Sequence, residues 1–320
     1  MPSLKEIKNR IASVNSTRKI TSAMKMVASS KLHHAQVMIE NMLPYEGMLE
    51  HILKTFLASD VDVKSHITLA RPVNQVALIV FSSNSSLCGG FNANVRKMMQ
   101  KTAEEYIAKG VDVTIYPVGR KVAEKVQKLG YKTAGNFNKL ADKPNAADCQ
   151  AIGRELGDMF VNDQVDKVEL IYHHFKSAGS QILTRKTLIP IDVEEAMDYD
   201  HYRDLETTVA NEHTMEYLRQ HAQEREYKNE KGKALNHNFI VEPDMATVLQ
   251  ALIPRYVNLM IYTALLDSNA SEHAARMVAM QTATDNADEL LRQLNLQYNK
   301  SRQQAITSEL LDIVGGSVNN

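Results

Sequence analysis

The chain has 320 residues, 44% of them hydrophobic and 23% charged, with a formal net charge of −1. That balance describes a folded protein and excludes a disordered tail or a uniformly basic nucleic-acid binder. Aromatic residues are scarce and Trp is absent while Met reaches 15, so the apolar material suits thin helical seams better than one thick core.

From Ser3 to Leu43 there is neither Pro nor Gly. Leu4, Ile7, Ile11 and Val14 step by three and four, and Ile20, Met24 and Val27 continue on a slightly shifted stripe, which predicts one amphipathic helix. At about 1.5 Å per residue, forty residues give roughly 60 Å of helix, longer than a compact domain is wide. Pro44 and Gly47 are possible kink points, and "MLEHILKTFLAS" carries the pattern to residue 59. Residues 1–40 hold seven basic against two acidic residues, a bias that favours an acidic protein partner. A nucleic-acid role fits less well, since the charges are spread out and no aromatic platform accompanies them.

The middle of the chain changes grammar. "QVALIVF" (75–81) reads as a buried strand, "FNANVRKMMQKTAEEYIAKG" as a helix ending at Gly110, "VDVTIYPVG" as a strand and "RKVAEKVQKLG" as a helix. A further helix, "DCQAIGRELGDMFVND", precedes strands in "DKVELIYHHF" and "QILTRKTLIPI". The alternation predicts an α/β domain with a largely parallel sheet. Residues 192–233 carry twelve acidic against six basic residues with weak patterning, as in a surface insertion.

From Pro254 to Gly315 no helix breaker occurs. Val257, Met260, Ile261, Ala264 and Leu265, then Met277, Met280, Ala283, Ala287, Leu290, Leu291 and Leu294, keep a near-heptad seam whose natural partner is the N-terminal helix. The expected fold is therefore α/β, with a long antiparallel coiled coil of the terminal helices and an inserted α/β domain. Its parts are residues 1–59 (N-terminal coiled-coil helix), 73–240 (α/β domain with the insertion) and 244–320 (C-terminal coiled-coil helix). Ile306, Leu310, Leu311, Ile313 and Val314 form an apolar patch just before Gly315 and Gly316, which are expected to stop the helix. This tip is expected to need cover from another protein.

Catalytic, cofactor and metal signals are weak. "FSSNSSLCGGFN" (81–92) joins strand to helix through Ser and Gly, but lacks the lysine and spacing of a phosphate-binding loop and the spacing of a dinucleotide fingerprint. Cys88 with His173 or His174 would be a thiol–imidazole pair only if the fold joined them, and adjacent strand residues point to opposite faces. His33 and His34 are about 100° apart on a helix and cannot chelate one ion as an i, i+4 pair would. Two cysteines, Cys88 and Cys149, are too few for a disulfide framework and fit a reducing compartment. "MPSLKEIKNRIASV" has no secretory apolar core, and no window is expected to approach the roughly 18 apolar residues of a membrane span. No catalytic residue, cofactor or metal is assigned.

Taken together, "RIASVNSTRKITSAMKMVASSKL", "LCGGFN", "SEHAARMVAMQTATDNA" and "ITSELLDIVGG", in that order, resemble the gamma subunit of the rotary F-type ATP synthase over nearly the whole chain outside the acidic insertion. The resemblance implies a Rossmann-like inserted domain and a non-catalytic rotor shaft of a proton-translocating complex, coupling ion flow to ATP synthesis or hydrolysis on surrounding catalytic subunits. It also implies a peripheral position on the cytoplasmic face of the bacterial inner membrane. Implied partners are the alpha and beta subunits of the catalytic ring, the epsilon subunit and the membrane c-ring, with no nucleic acid and no direct membrane insertion.

By the same resemblance, Arg302 and Gln303 would form a polar catch to a catalytic subunit, and Met24 and Lys25 would meet that subunit's acidic loop. Ile306, Leu310, Leu311, Ile313 and Val314 would turn in an apolar bearing, and Phe239 and Glu242 would belong to the foot at the membrane ring and epsilon subunit. The sequence departs from the family at Asn84, Ser85 and Ser86, where a charged Asp-Arg-Gly or Asp-Lys-Gly is common, and at Ser317, where Ala is usual. Alternatives are an enzyme using the Ser/Gly loop as a phosphate site, and a coiled-coil scaffold or nucleic-acid adaptor.

Overall fold

The computed structural model describes residues 3–57, 71–191 and 241–317. Helix α1 (Leu4–Leu57) opens on Ser3, whose Oγ accepts from the Glu6 backbone N–H, and runs unbroken through Pro44. Then follow β1 (Gln75–Phe81), α2 (Phe91–Ile107), β2 (Asp112–Val118), α3 (Arg120–Leu129), β3 (Lys132–Thr133), α4 (Asn138–Asp142), α5 (Ala146–Val161), β4 (Lys167–Ser177), β5 (Ser180–Ile189) and α6 (Met245–Ser317). By internal contacts the chain forms two compact units, Met1–Ser30 with Arg276–Asn320, and Lys31–Ala275.

The larger unit is built on a five-stranded sheet in the order β3-β2-β1-β4-β5. β1 pairs in parallel with β2 and with β4, β2 in parallel with β3, and β5 returns antiparallel to β4. The run "QVALIVF" has no polar alternation because both of its faces are covered. Ala77, Ile79 and Phe81 join a core with Leu49, Leu53 and Phe56 of α1 and Leu249, Ile253, Val257 and Ile261 of α6. Val76, Leu78 and Val80 face Val95, Met99 and Ala103 of α2 and Val122 and Val126 of α3. The short β3 and α4 have no sequence period long enough to show.

Two polar devices fix this unit's edges. Arg71 donates from Nε to Asp166 and from Nη2 to the carbonyls of Phe160 and Val165, pairs with Asp163, and lies over the Phe160 ring. Asp166 in turn accepts from the backbone N–H groups of Asn74 and Gln75, so β1 enters the sheet already anchored. At the other end of β1, Gly119 precedes α3 with φ 102°, and the missing side-chain cap is supplied from the loop after β1: Ser82 Oγ accepts from Val122 N–H at 3.1 Å.

Helix α6 starts where Asp244 Oδ1 accepts from Thr247 N–H at 2.9 Å, an N-cap that marks the boundary chemically. It passes Pro254 and, contrary to expectation, does not stop at Gly315 and Gly316 but continues to Ser317. The expectation that no segment approaches a membrane span is also corrected. By length and composition α6 is long and apolar enough to cross a membrane, and about half of its most apolar stretch is buried inside the protein. In the larger unit that apolarity is used within the core, since Leu249, Ile253, Val257, Ile261 and Leu265 pack under the sheet.

Candidate functional site: the two-helix coil and the loop after β1

The smaller unit pairs the first part of α1 with the last part of α6. Arg18 Nη1 reaches Asp288 Oδ1 at 3.1 Å and the hydroxyls of Thr21 and Thr284 lie 2.8 Å apart, so numbers rise on one helix as they fall on the other and the pair is antiparallel. Ile7, Thr21 and Ala28 are buried at heptad spacing, with Leu4, Ile11, Val14, Arg18 and Lys25 half-buried beside them. On α6 the matching buried positions are Met280, Ala287 and Leu294, with Thr284, Leu291 and Tyr298 half-buried beside them.

This corrects one expectation. The apolar stripe was expected to shift to Ile20, Met24 and Val27, but the seam runs straight through Arg18, Thr21 and Lys25, leaving Ile20 60% and Val27 58% exposed. A constant seven-residue step keeps one face inward whatever residues occupy it, and the flanking Ile7, Val14 and Ala28 set that step. Lys25 is half-buried within this seam and Met24 is half-buried beside it.

The same register brings Leu4, the first helical residue of α1, level with Arg302. Beyond it no described residue of α1 faces α6, and every residue from Arg302 to Leu311 is exposed, Ile306, Leu310 and Leu311 among them. Arg302 and Gln303 thus sit at the base of an uncovered helical tip. Ile313 and Val314 lie in α6, though their side chains fall outside the described residues, as does Phe239 altogether. Glu242 is exposed just ahead of the Asp244 cap.

In the larger unit, the Ser/Gly loop is closed by its own hydrogen bonds. Asn92 Oδ1 accepts from Ser83 N–H at 3.1 Å, while Asn92 Nδ2 donates to Ser83 Oγ, to the Ser85 carbonyl and to Cys88 Sγ. Ser83 Oγ donates to the Ser85 carbonyl, and Cys88 is buried. The side chains of Ser83, Cys88 and Asn92 are thus turned onto one another inside the loop. Asn84, where the resemblance implied a charged residue, uses both ends of its amide: its Nδ2 donates to the Asn138 carbonyl at 2.7 Å and its Oδ1 accepts from Arg120 N–H at 2.8 Å. An Asp could accept the second bond but could not donate the first.

His173 and His174 point to opposite faces, as strand geometry requires. His173 is buried and stacked on Phe91 with ring centroids 4.5 Å apart, and burial pushes its imidazole down to about 4. His174 Nδ1 lies 2.8 Å from Asp267 of α6. Among the described residues searched, no group of three or more His, Cys, Asp or Glu could hold a metal. Burial pushes the Cys149 thiol up to about 12, leaving it protonated at neutral pH.

The polar cluster that sequence reading missed surrounds Glu169 on β4. Its carboxylate accepts from Tyr106 OH at 2.7 Å, from Arg185 Nε at 2.7 Å and from Lys167 Nζ at 2.8 Å, and Arg185 also reaches Glu105. The signal was there: a carboxylate at an inward position of "KVELIYHHF" requires cationic or donor partners.

Comparison with known proteins bears on these features together. A family model described as ATP synthase matches residues 3–318. The ATP synthase gamma chain of Phocaeicola vulgatus is 50% identical over 319 residues, covering 99% of this chain and all of the relative, and that of Bacteroides fragilis (strain ATCC 25285) is 52% identical with the same coverage. The chain belongs to the ATP synthase gamma-chain family. Membership makes it a non-catalytic subunit of an ATP synthase.

Solved central-stalk chains share this fold. A chain in the central stalk and c-ring of the Tetrahymena thermophila mitochondrial ATP synthase is similar at TM-score 0.55 and 23% identity, covering 82% of this chain and 99% of that one. A chain in the Euglena gracilis mitochondrial ATP synthase rotor is similar at 0.57 and 19% identity, covering 95% and 98%.

Proposed function

We propose that this chain is the central rotor shaft of a bacterial F-type ATP synthase. Ion flow through a membrane ring turns it, and the shaft drives the surrounding catalytic subunits in turn through synthesis or hydrolysis of ATP. The observation that carries this reading is the uncovered end of α6: exposed Arg302 and Gln303, then exposed Ile306, Leu310 and Leu311 at helical spacing. Non-directional apolar contact suits a part that must rotate in its seat, because no hydrogen bond has to break as it turns.

In this reading residues 1–59 and 244–320 are the shaft and 73–240 its α/β domain. Ile306, Leu310, Leu311, Ile313 and Val314 turn in an apolar sleeve of the alpha and beta subunits. Arg302 and Gln303 form the catch, where a planar, permanently charged guanidinium can pair with successive carboxylate or carbonyl groups. Met24 and Lys25 meet an acidic loop of a catalytic subunit, and Phe239 and Glu242 contact the epsilon subunit and c-ring. The chain then lies peripherally on the cytoplasmic face of the inner membrane.

Co-expression with the other soluble subunits tests the function. The chain should join their complex and support ATP hydrolysis; a complex that assembles and hydrolyses ATP normally without it would rule the proposal out. Arg302→Ala tests the catch. Exposed ion pairs contribute only about 0–1 kcal/mol, so assembly should survive while coupled turnover drops. Wild-type turnover and ATP yield in Arg302→Ala would remove Arg302 from the catch. Titration of the isolated chain with ATP should show no saturable binding, because the Ser/Gly loop is closed on itself; stoichiometric binding would return the loop to the status of a phosphate site.

A further inference from the structure

Beyond Leu265, α6 is held in the larger unit by directional contacts. The apolar core beneath the sheet takes in α6 as far as Leu265, yet burial continues past it: Asp267, Ser268 and Ser271 are buried and Asn269 is half-buried. Asp267 Oδ2 pairs with His174 Nδ1 of β4 at 2.8 Å, and Ser271 Oγ donates to the carbonyl of the neighbouring His173 at 3.2 Å. Asn269 Nδ2 donates to the Ala141 carbonyl of α4 at 3.0 Å. At about 100° per residue, Asp267 and Ser271 share one face of α6 and Asn269 lies almost opposite, so β4 and α4 grip the helix from two sides.

A two-sided grip resists one motion in particular. With side chains a helix is about 10–12 Å across, so their polar ends lie roughly 5–6 Å from its axis, and a turn of about 20° carries each by about 2 Å, out of hydrogen-bond geometry. The two sides move in opposite directions, and no sideways shift of the helix restores both. Apolar contacts, such as those of Leu249, Ile253 and Val257 lower on α6, are non-directional and set no such limit. We infer that Asp267, Asn269 and Ser271 key the rotational setting of α6 in the α/β domain, as positioning residues for the transmission of torque. Fixing register is an attested use of buried polar groups. The inference rests on the rotor reading: α6 is one helix from this level to Ser317, so angular play here reaches the tip.

ATP-driven proton pumping by the complete synthase in inverted membrane vesicles, divided by ATP hydrolysis in the same vesicles, tests this. Asn269→Leu keeps the size of the side chain and removes the donor to Ala141; the ratio should fall at least about twofold, whereas Asn269→Gln, which keeps a donor, should stay near the wild-type ratio. A purely structural role would lower pumping and hydrolysis together, through less assembled complex, and leave the ratio unchanged; that result in Asn269→Leu would overturn the inference. An equal fall in Asn269→Leu and Asn269→Gln would overturn it too, since the donor would not be what matters. If Asn269→Leu does not assemble, Ser271→Ala against Ser271→Thr reads the same ratio from the other side of the helix, with the same two outcomes. A wild-type chain that supports neither pumping nor hydrolysis would instead remove the rotor reading itself.

Discussion

Gly119→Ala should cost this protein at least about 3 kcal/mol, more than any surface change in the rotor helices. Gly119 has φ 102°, and a Cβ built there meets the Ser82 carbonyl oxygen at 2.1 Å and the Ser82 carbonyl carbon at 2.7 Å. An L-residue at positive φ loses roughly 1–2 kcal/mol, and overpacking against rigid backbone adds about 1–3 kcal/mol. Ser82 cannot move away cheaply: its N–H donates to the Val118 carbonyl at 2.8 Å and its Oγ caps α3 at Val122. Thermal unfolding of the purified chain reads the effect as a lower Tm. Ala at Gly157, where nothing lies within 4 Å, is the control and should leave Tm nearly unchanged or raised.

The second large effect belongs to Glu169. Removing its carboxylate by Glu169→Ala leaves Arg185 and Lys167 without their shared partner and Tyr106 without its acceptor. Breaking a buried pair costs about 3–5 kcal/mol, and since Arg185 and Lys167 keep part of their surface in water, about 3 kcal/mol is expected here. The pH dependence follows in sign. Burial pushes the Glu169 carboxyl up, but hydrogen bonds from Arg185, Lys167 and Tyr106 outweigh it and hold it below its ordinary value of 4.5.

Its contribution is therefore complete above pH 4.5 and is lost as pH falls through the lower folded value, because the unfolded chain takes up the proton first. Urea unfolding at neutral pH and in mild acid should show wild-type stability falling on acidification. Glu169→Gln, which has no proton to take up, should be less stable at neutral pH and show a shallower acid slope. An unchanged slope would mean that Glu169 is not the linked group.

Period and breakers carry much of this architecture in the sequence. The long run without Gly or Pro from Ser3 to Leu43 determines a helix, the uniformly apolar "QVALIVF" determines a strand covered on both faces, and the βα alternation determines a mostly parallel sheet. The motifs in both terminal helices determine the family. These features are local, since each depends on residues a few positions apart, and backbone geometry alone converts them into structure.

Tertiary structure decided what depends on partners far along the chain. Ile20 and Val27 look like seam residues by hydrophobicity, but the straight heptad set by Ile7, Val14 and Ala28 turns them outward and puts Arg18 and Thr21 inside. Glu169 stands among apolar neighbours in a strand, and only the fold brings Tyr106 and Arg185 to it. Asn84 is a departure from a charged pattern until the fold sets Asn138 and Arg120 on either side of it. Gly119 becomes irreplaceable only when Ser82, in the loop after β1, comes within one atom's width. Hydrophobic periodicity records how much of a residue prefers to leave water, but which neighbour receives it is settled by register and topology, and those are properties of the whole chain.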